Sequence, residues 1–155
     1  MEVVLLLGGN LGDPEATLQL AERLISERVG NVLSRSREHW TEPWGFTDDR
    51  LFLNRALLVN TDLNERAVLN TCLGIELELG RVRNAIPEYT ARTIDIDLLF
   101  AEDRTVDEKD LVVPHPRVQD RFFALSPAAD IVPELVHPRL QRTVLQLLND
   151  AKQRA

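Results

Sequence analysis

The chain is poor in several things, and each shortage excludes something. A single cysteine, Cys72, excludes an internal disulfide and agrees with a reducing cytoplasm. Of the 18 basic residues only Lys109 and Lys152 are lysines, so nearly all the positive charge is guanidinium. That charge is outweighed: the net value is −7 and the pI is near 5.0. General nucleic-acid binding needs a basic surface and is not expected. No apolar run approaches the ~20 residues of a membrane span. The first eight residues lack the basic start and the length of a signal peptide. Gly8, Gly9 and Gly12 have neither the lysine of a Walker A loop nor the spacing of a dinucleotide fingerprint. At 155 residues, the expectation is one cytoplasmic domain, residues 1–155, without a membrane partner.

What the chain does have is concentrated in residues 81–100, RVRNAIPEYTARTIDIDLLF. The first half carries Arg81, Arg83 and Arg92 with no apolar period. The second half alternates. Ile94, Ile96, Leu98 and Phe100 fall on one face of a strand; Thr93, Asp95, Asp97 and Leu99 fall on the other. Asp95 and Asp97 therefore point the same way, ~6.6 Å apart at a rise of ~3.3 Å per residue. Carboxylates so placed repel unless a cation sits beside them, and hard oxygen ligands suit Mg²⁺, which travels with phosphates. Guanidinium groups hold phosphates in a bidentate fork. The same residues also fit a blander description, a solvated strand face beside an arginine-rich loop.

Around this stretch the periodicity predicts alternating elements. The apolar run VVLLL at 3–7 reads as a buried strand entering a turn at Gly8. Asp13-Pro14 opens a helix with Leu18, Leu20, Ala21, Leu24 and Ile25 inward, stopped by Gly30-Asn31. Residues 32–40 read as a strand, and 41–49 as a loop carrying Trp44 and Phe46. Residues 52–61 form a further strand. Asp62 or Asn64 caps a helix with Val68, Cys72, Ile75 and Leu79 inward, ended by Gly80. After Phe100 come a short edge hairpin, a Pro114-His115-Pro116 loop, a helix near 120–129, an irregular proline-containing stretch at 131–138, and a last helix capped by Thr143. His39 and His137 read as surface or loop residues, and Glu76 and Glu78 as solvated helix-end charges. The order strand, helix, strand, strand, helix, strand is that of a split βαβ, ferredoxin-like α+β fold. Such a fold is an antiparallel sheet with both main helices on one face, here followed by a C-terminal extension and helix.

Seven motifs taken together resemble one family, the 6-hydroxymethyl-7,8-dihydropterin pyrophosphokinases of folate biosynthesis. They are GGNLGD at 8–13, TEPWG at 41–45, FLN at 52–54, GRVR at 80–83, RTIDIDLL at 92–99, VPHPR at 113–117 and RFFAL with Pro127 at 121–127. The resemblance implies a ferredoxin-like, monomeric enzyme. It would transfer pyrophosphate from ATP to the pterin's hydroxymethyl oxygen and release AMP. Two Mg²⁺ ions would be held by Asp95 and Asp97. Arg81 and Arg92 would orient and stabilise the transferring group. Arg83, Tyr89, His115 and Arg121 would contact ATP. Asn54 would hydrogen-bond the pterin, Phe52 and Phe123 would stack on its ring, and Pro43 and Trp44 would lie in a loop closing over it.

The chain departs from the common pattern at three places. Many members carry Trp-Gly-Pro where Tyr89-Thr90-Ala91 stands, an arginine where Glu88 stands, and some a tyrosine in place of Phe52. Two other classes remain as alternatives on the residues alone. A ligand-sensing module has little need of a metal pair beside arginines. A metal-dependent phosphohydrolase would need a base for water that the sequence does not display.

Overall fold

The structure, a computed structural model, describes residues 1–42, 51–81 and 94–154. Its centre is a five-stranded antiparallel sheet built from β1 (Glu2–Gly9), β2 (Gly30–Arg35), β3 (His39–Thr41), β4 (Phe52–Thr61) and β5 (Asp95–Ala101). The order is β2-β4-β1-β5, with β3 also on β4. Two helices, α1 (Pro14–Arg28) and α2 (Glu65–Arg81), connect these strands.

The unbroken apolar run of β1 follows from burial on both faces. Val3, Leu5 and Leu7 pack into one core with Leu18 and Ile25 of α1 and Val68, Cys72 and Ile75 of α2. Val4 and Leu6 pack into a second core with Leu125 of α3 (Phe122–Ile131) and Leu147 of α4 (Val144–Arg154). The helices of the C-terminal extension thus cover the second face of the sheet. Both central caps are side-chain acceptors. Asp13 receives the Ala16 amide, and Asn64, rather than Asp62, receives that of Ala67. Thr143 and Gln146 exchange bonds as a capping box before α4.

Several elements differ from the periodicity. Leu20 is exposed on α1, and α2 runs through Gly80 to Arg81. The expected strand at 32–40 is two strands because Ser36 enters the ladder, its hydroxyl receiving the Ala56 amide at 2.9 Å. Gly8 and Gly9 belong to β1 rather than to the turn; only Gly12 there has a positive φ, of 64°. In β5 the register against β1 shifts between Val4 and Leu5. Phe100 therefore joins Leu99 in the second core, while Leu98 stays in the first with Ile94 and Ile96. The stretch at 131–138 is not wholly irregular: β8 (Val136–His137) pairs with β9 (Arg142–Thr143). His137 is buried rather than exposed, edge-on to the Phe100 ring, its Nδ1 receiving the Arg139 and Leu140 amides. Between β5 and α3 lie the hairpin β6 (Val106–Glu108) and β7 (Leu111–Val113). Arg66 of α2 holds it through Glu108 and Asp110.

Candidate active site

The sheet register sets out the site. Asp95 pairs with Gly8, Gly8 with Asn54, and Asn54 with His39. Cross-strand partners project to the same side, so these residues form one row across β5, β1, β4 and β3. At ~4.8 Å between strands, Asp95 and Asn54 lie roughly 10 Å apart. One pleat repeat along, Asp97 pairs with Leu6 and Leu6 with Ala56, both members of the second core. The row therefore looks toward α3 and α4. Asp95 and Asp97 are half-buried and share this face, as their alternation predicts.

Gly8 is the gap in the row. A Cβ there would stand 2.5 Å from Asn54 Oδ1. Only a missing side chain lets the amide of Asn54, itself 4% exposed, occupy that place. The Asn54 amide consequently lies over the Gly8 backbone, between β4 and β5. Phe52 is half-buried two residues from Asn54, on the same face of β4.

A second group approaches from the C-terminal side. Val113–Pro114 is cis, and the His115 amide then donates to Leu99 O at 3.0 Å, two residues beyond Asp97. The Arg117 amide donates to His115 Nδ1 at 3.3 Å. A 3₁₀ turn at Val118–Asp120 leads to Arg121, whose guanidinium lies 5.6 Å from the centroid of the Phe123 ring at the start of α3. Burial, then the charges of Arg121 and Arg117, push the His115 imidazole down to about 4. The ring is thus neutral at pH 7, with Nδ1 accepting and the proton on Nε2.

His39 is not a free surface residue. Its Nε2 lies 2.8 Å from Asp130, which also receives Arg37. Burial pushes the Asp130 carboxyl up, but these bonds outweigh it and hold it below its ordinary range. Glu76 is not simply solvated either, since it receives the Ile96 amide at 2.6 Å. Glu78 pairs with Arg28 at the surface. Cys72 is inert. Burial, with the Glu76 and Asp97 carboxylates, pushes its thiol up to about 12. Pro43, Trp44, Arg83, Tyr89 and Arg92 lie outside the described residues, as does the variant segment 88–91; of Arg81 only the place at the end of α2 is described.

Carboxylates, a buried amide and the Phe52 ring on one sheet face, with a neutral histidine anchored to the same strand β5, suit a ligand with a flat polar ring at one end and a charged group at the other. The sequence model of the 7,8-dihydro-6-hydroxymethylpterin-pyrophosphokinase family, HPPK, matches residues 4–133. The chain belongs to this family. It is 43% identical over 131 residues to the 2-amino-4-hydroxy-6-hydroxymethyldihydropteridine pyrophosphokinase of Methylorubrum extorquens, covering 84% of this chain and 82% of that one. The corresponding enzyme of Porphyromonas gingivalis is 39% identical, covering 88% and 93%. That of Bacillus subtilis is 36% identical, covering 81% and 74%. Among solved structures, an HPPK-DHPS chain of Plasmodium falciparum superposes with a TM-score of 0.82 over 99% of this chain and 42% of that one. At 18% identity that likeness concerns the fold. As an HPPK, the chain is an ATP-dependent diphosphotransferase. It carries pyrophosphate from ATP to hydroxymethyldihydropterin in folate synthesis.

Two residues beside this row are not singled out by the sequence. Gly8 looks like any turn glycine until the register places it opposite Asn54. Glu76 looks like any helix-end acid, because its contact with β5 spans 20 residues of chain.

Proposed function

We propose that this HPPK lays its two substrates along the Asp95–Gly8–Asn54 row, pterin toward Asn54 and polyphosphate toward Asp95. That row is the observation that carries the reading: acceptor carboxylates and a buried amide share one face, with no side chain on Gly8 between their strands. Asn54 hydrogen-bonds the polar edge of the pterin, and Phe52 and Phe123 stack on its ring. Pro43 and Trp44 close over it. Arg83, Tyr89, His115 and Arg121 hold ATP. Arg81 and Arg92 orient the transferring group and stabilise the charge it develops. The alcohol oxygen of the pterin bonds to the β-phosphorus of ATP and gives up its proton to water, the bond from that phosphorus to the oxygen bridging to the α-phosphate breaks, and AMP leaves.

The donor set fits Mg²⁺. Asp95 and Asp97, half-buried on one face of β5, offer hard oxygens. Two Mg²⁺ ions held by Asp95 and Asp97 would take their other ligands from water and phosphate. When bound, Mg²⁺ would offset the negative charge of the phosphates. The reading takes the enzyme as single-domain, ferredoxin-like, monomeric and cytoplasmic. The order β2-β4-β1-β5 with α1 and α2 on one face supports the second of these terms. Among the described residues no helix is long and apolar enough to cross a membrane.

Incubation with ATP, Mg²⁺ and 6-hydroxymethyl-7,8-dihydropterin is expected to yield AMP and the pterin diphosphate in equal amounts. ADP as product overturns the reading. So does ATP loss without pterin, which would favour a phosphohydrolase.

His115 gives a separate test. In the free protein its ring resonances are expected to titrate at about 4. A bound polyphosphate favours the imidazolium, so addition of a non-hydrolysable ATP analogue moves that midpoint upward. An unshifted midpoint with analogue bound removes His115 from the phosphate site.

A further inference from the structure

The edge strand that carries Asp95 and Asp97 is held from its outer side by one helix residue. Among the described residues, β5 pairs within the sheet with β1 alone. An edge strand presents alternate amides outward, and an outward amide lets the strand shift and twist unless something receives it. Ile96 is the outward residue between the two aspartates. Its side chain is buried in the first core, and its N–H donates to Glu76 Oε2 at 2.6 Å rather than to β1. By the two-residue alternation of an antiparallel ladder, Asp95 and Asp97 then turn their own backbone groups inward, opposite Gly8 and Leu6. Both aspartates are thus fastened to β1 on one side, and the peptide between them to α2 on the other.

Glu76 is suited to this by its place on the helix. Ile75 beside it is fully buried against the sheet, while Leu73 and Leu77 are 46% and 54% exposed. Position 76 lies between those faces, where a side chain can reach round to the rim of the sheet. The bond joins a carboxylate to a backbone amide, a strong class of hydrogen bond.

We propose that Glu76 is a positioning residue for pyrophosphoryl transfer: by holding the Ile96 amide it sets the relative placement of Asp95 and Asp97. This rests on the reading of those aspartates as cation ligands. Groups that orient metal ligands typically matter 10- to 100-fold.

The test compares Glu76→Ala and Glu76→Gln in the full chain by amide exchange at Ile96, direct Mn²⁺ binding and steady-state kinetics. Gln retains a carbonyl acceptor at the same reach; Ala retains none. In Glu76→Ala, Ile96 exchange is expected to accelerate, and Mn²⁺ affinity and kcat to fall about 10- to 100-fold, with the KM for pterin little changed. Glu76→Gln is expected to stay near wild type in all of these. The proposal is overturned if Glu76→Ala keeps wild-type Mn²⁺ affinity and kcat. It is also overturned if Glu76→Gln is as impaired as Glu76→Ala, since the negative charge rather than the bond would then be what matters. Asp97→Ala, measured alongside, separates the two readings. If it binds Mn²⁺ and turns over normally, the cation site itself is wrong. If it is inactive while Glu76→Ala is normal, only the positioning role is.

Discussion

Asp97→Ala is expected to lower kcat by at least the order of 10³-fold, the scale on which charge compensation acts in phosphoryl transfer. Its fold should be untouched. Asp97 is half-buried near the rim of the sheet, and its backbone partner Leu6 remains whatever side chain it carries. Its carboxylate faces the same way as that of Asp95 and belongs to neither hydrophobic core, so deleting it opens no apolar cavity. The unfolding temperature is expected to stay close to that of wild type. Loss of activity with an unchanged unfolding curve locates the defect in the chemistry. Asp97→Asn adds a control of the same size and shape. If the charge is what holds the cation, Asn is as inactive as Ala. AMP production at saturating Mg²⁺ and both substrates is the measurement, and near-normal turnover in either variant would remove Asp97 from the metal site.

The parts of this site legible from sequence were those in which local pattern and chemistry coincide. The alternation in IDIDLL put both aspartates on one face, because a strand's period of two survives any tertiary context that leaves the pleat intact. The same reasoning failed at Phe100, where the bulge opposite Val4 and Leu5 inserts one residue into β5. A bulge is a property of a strand pair, and the partner strand lies some 90 residues away. His137 was misread for a related reason. Two neighbouring amides and the Phe100 ring satisfy it, and its own proline-flanked segment carries no periodicity that would announce burial. Helix caps, being local, were read more closely: Asp13 and Thr143 cap as expected. The roles expected of His115, Arg121 and Phe123 rest on the family motifs and not on local pattern. The Leu99 carbonyl anchors the first to β5, and a cation–π contact joins the other two.

Gly8→Ala is expected to raise the KM for pterin on the order of 100-fold while leaving the KM for ATP close to wild type. Buried hydrogen bonds lost without replacement cost about 1–3 kcal/mol each, which is the scale of that change. Gly8 does not need a left-handed backbone, since its φ is not among the positive values. Alanine is therefore compatible with the chain path of β1. The obstruction is the approach of the new Cβ to 2.5 Å of Asn54 Oδ1. The end of a side chain can move where backbone cannot, so the amide swings away and the protein still folds. Gly30 supplies the contrast. A Cβ there would meet Asn60 O at 2.2 Å and the Thr61 Cα at 2.9 Å, both backbone. Gly30→Ala is expected to disturb the β2–β4 pairing and lower the unfolding temperature, with substrate affinities unchanged in the protein that remains folded. If Gly8 acts only by leaving room for Asn54, then Asn54→Ala has the same effect on the pterin KM. The double variant should then be no worse than either single one, the non-additivity expected of residues serving one interaction. Additive losses would mean that Gly8 serves the site in some other way, such as direct approach of the substrate to the β1 backbone. Equal rises in the KM of both substrates would mean that the row from Asp95 to Asn54 does not divide into a phosphate end and a pterin end.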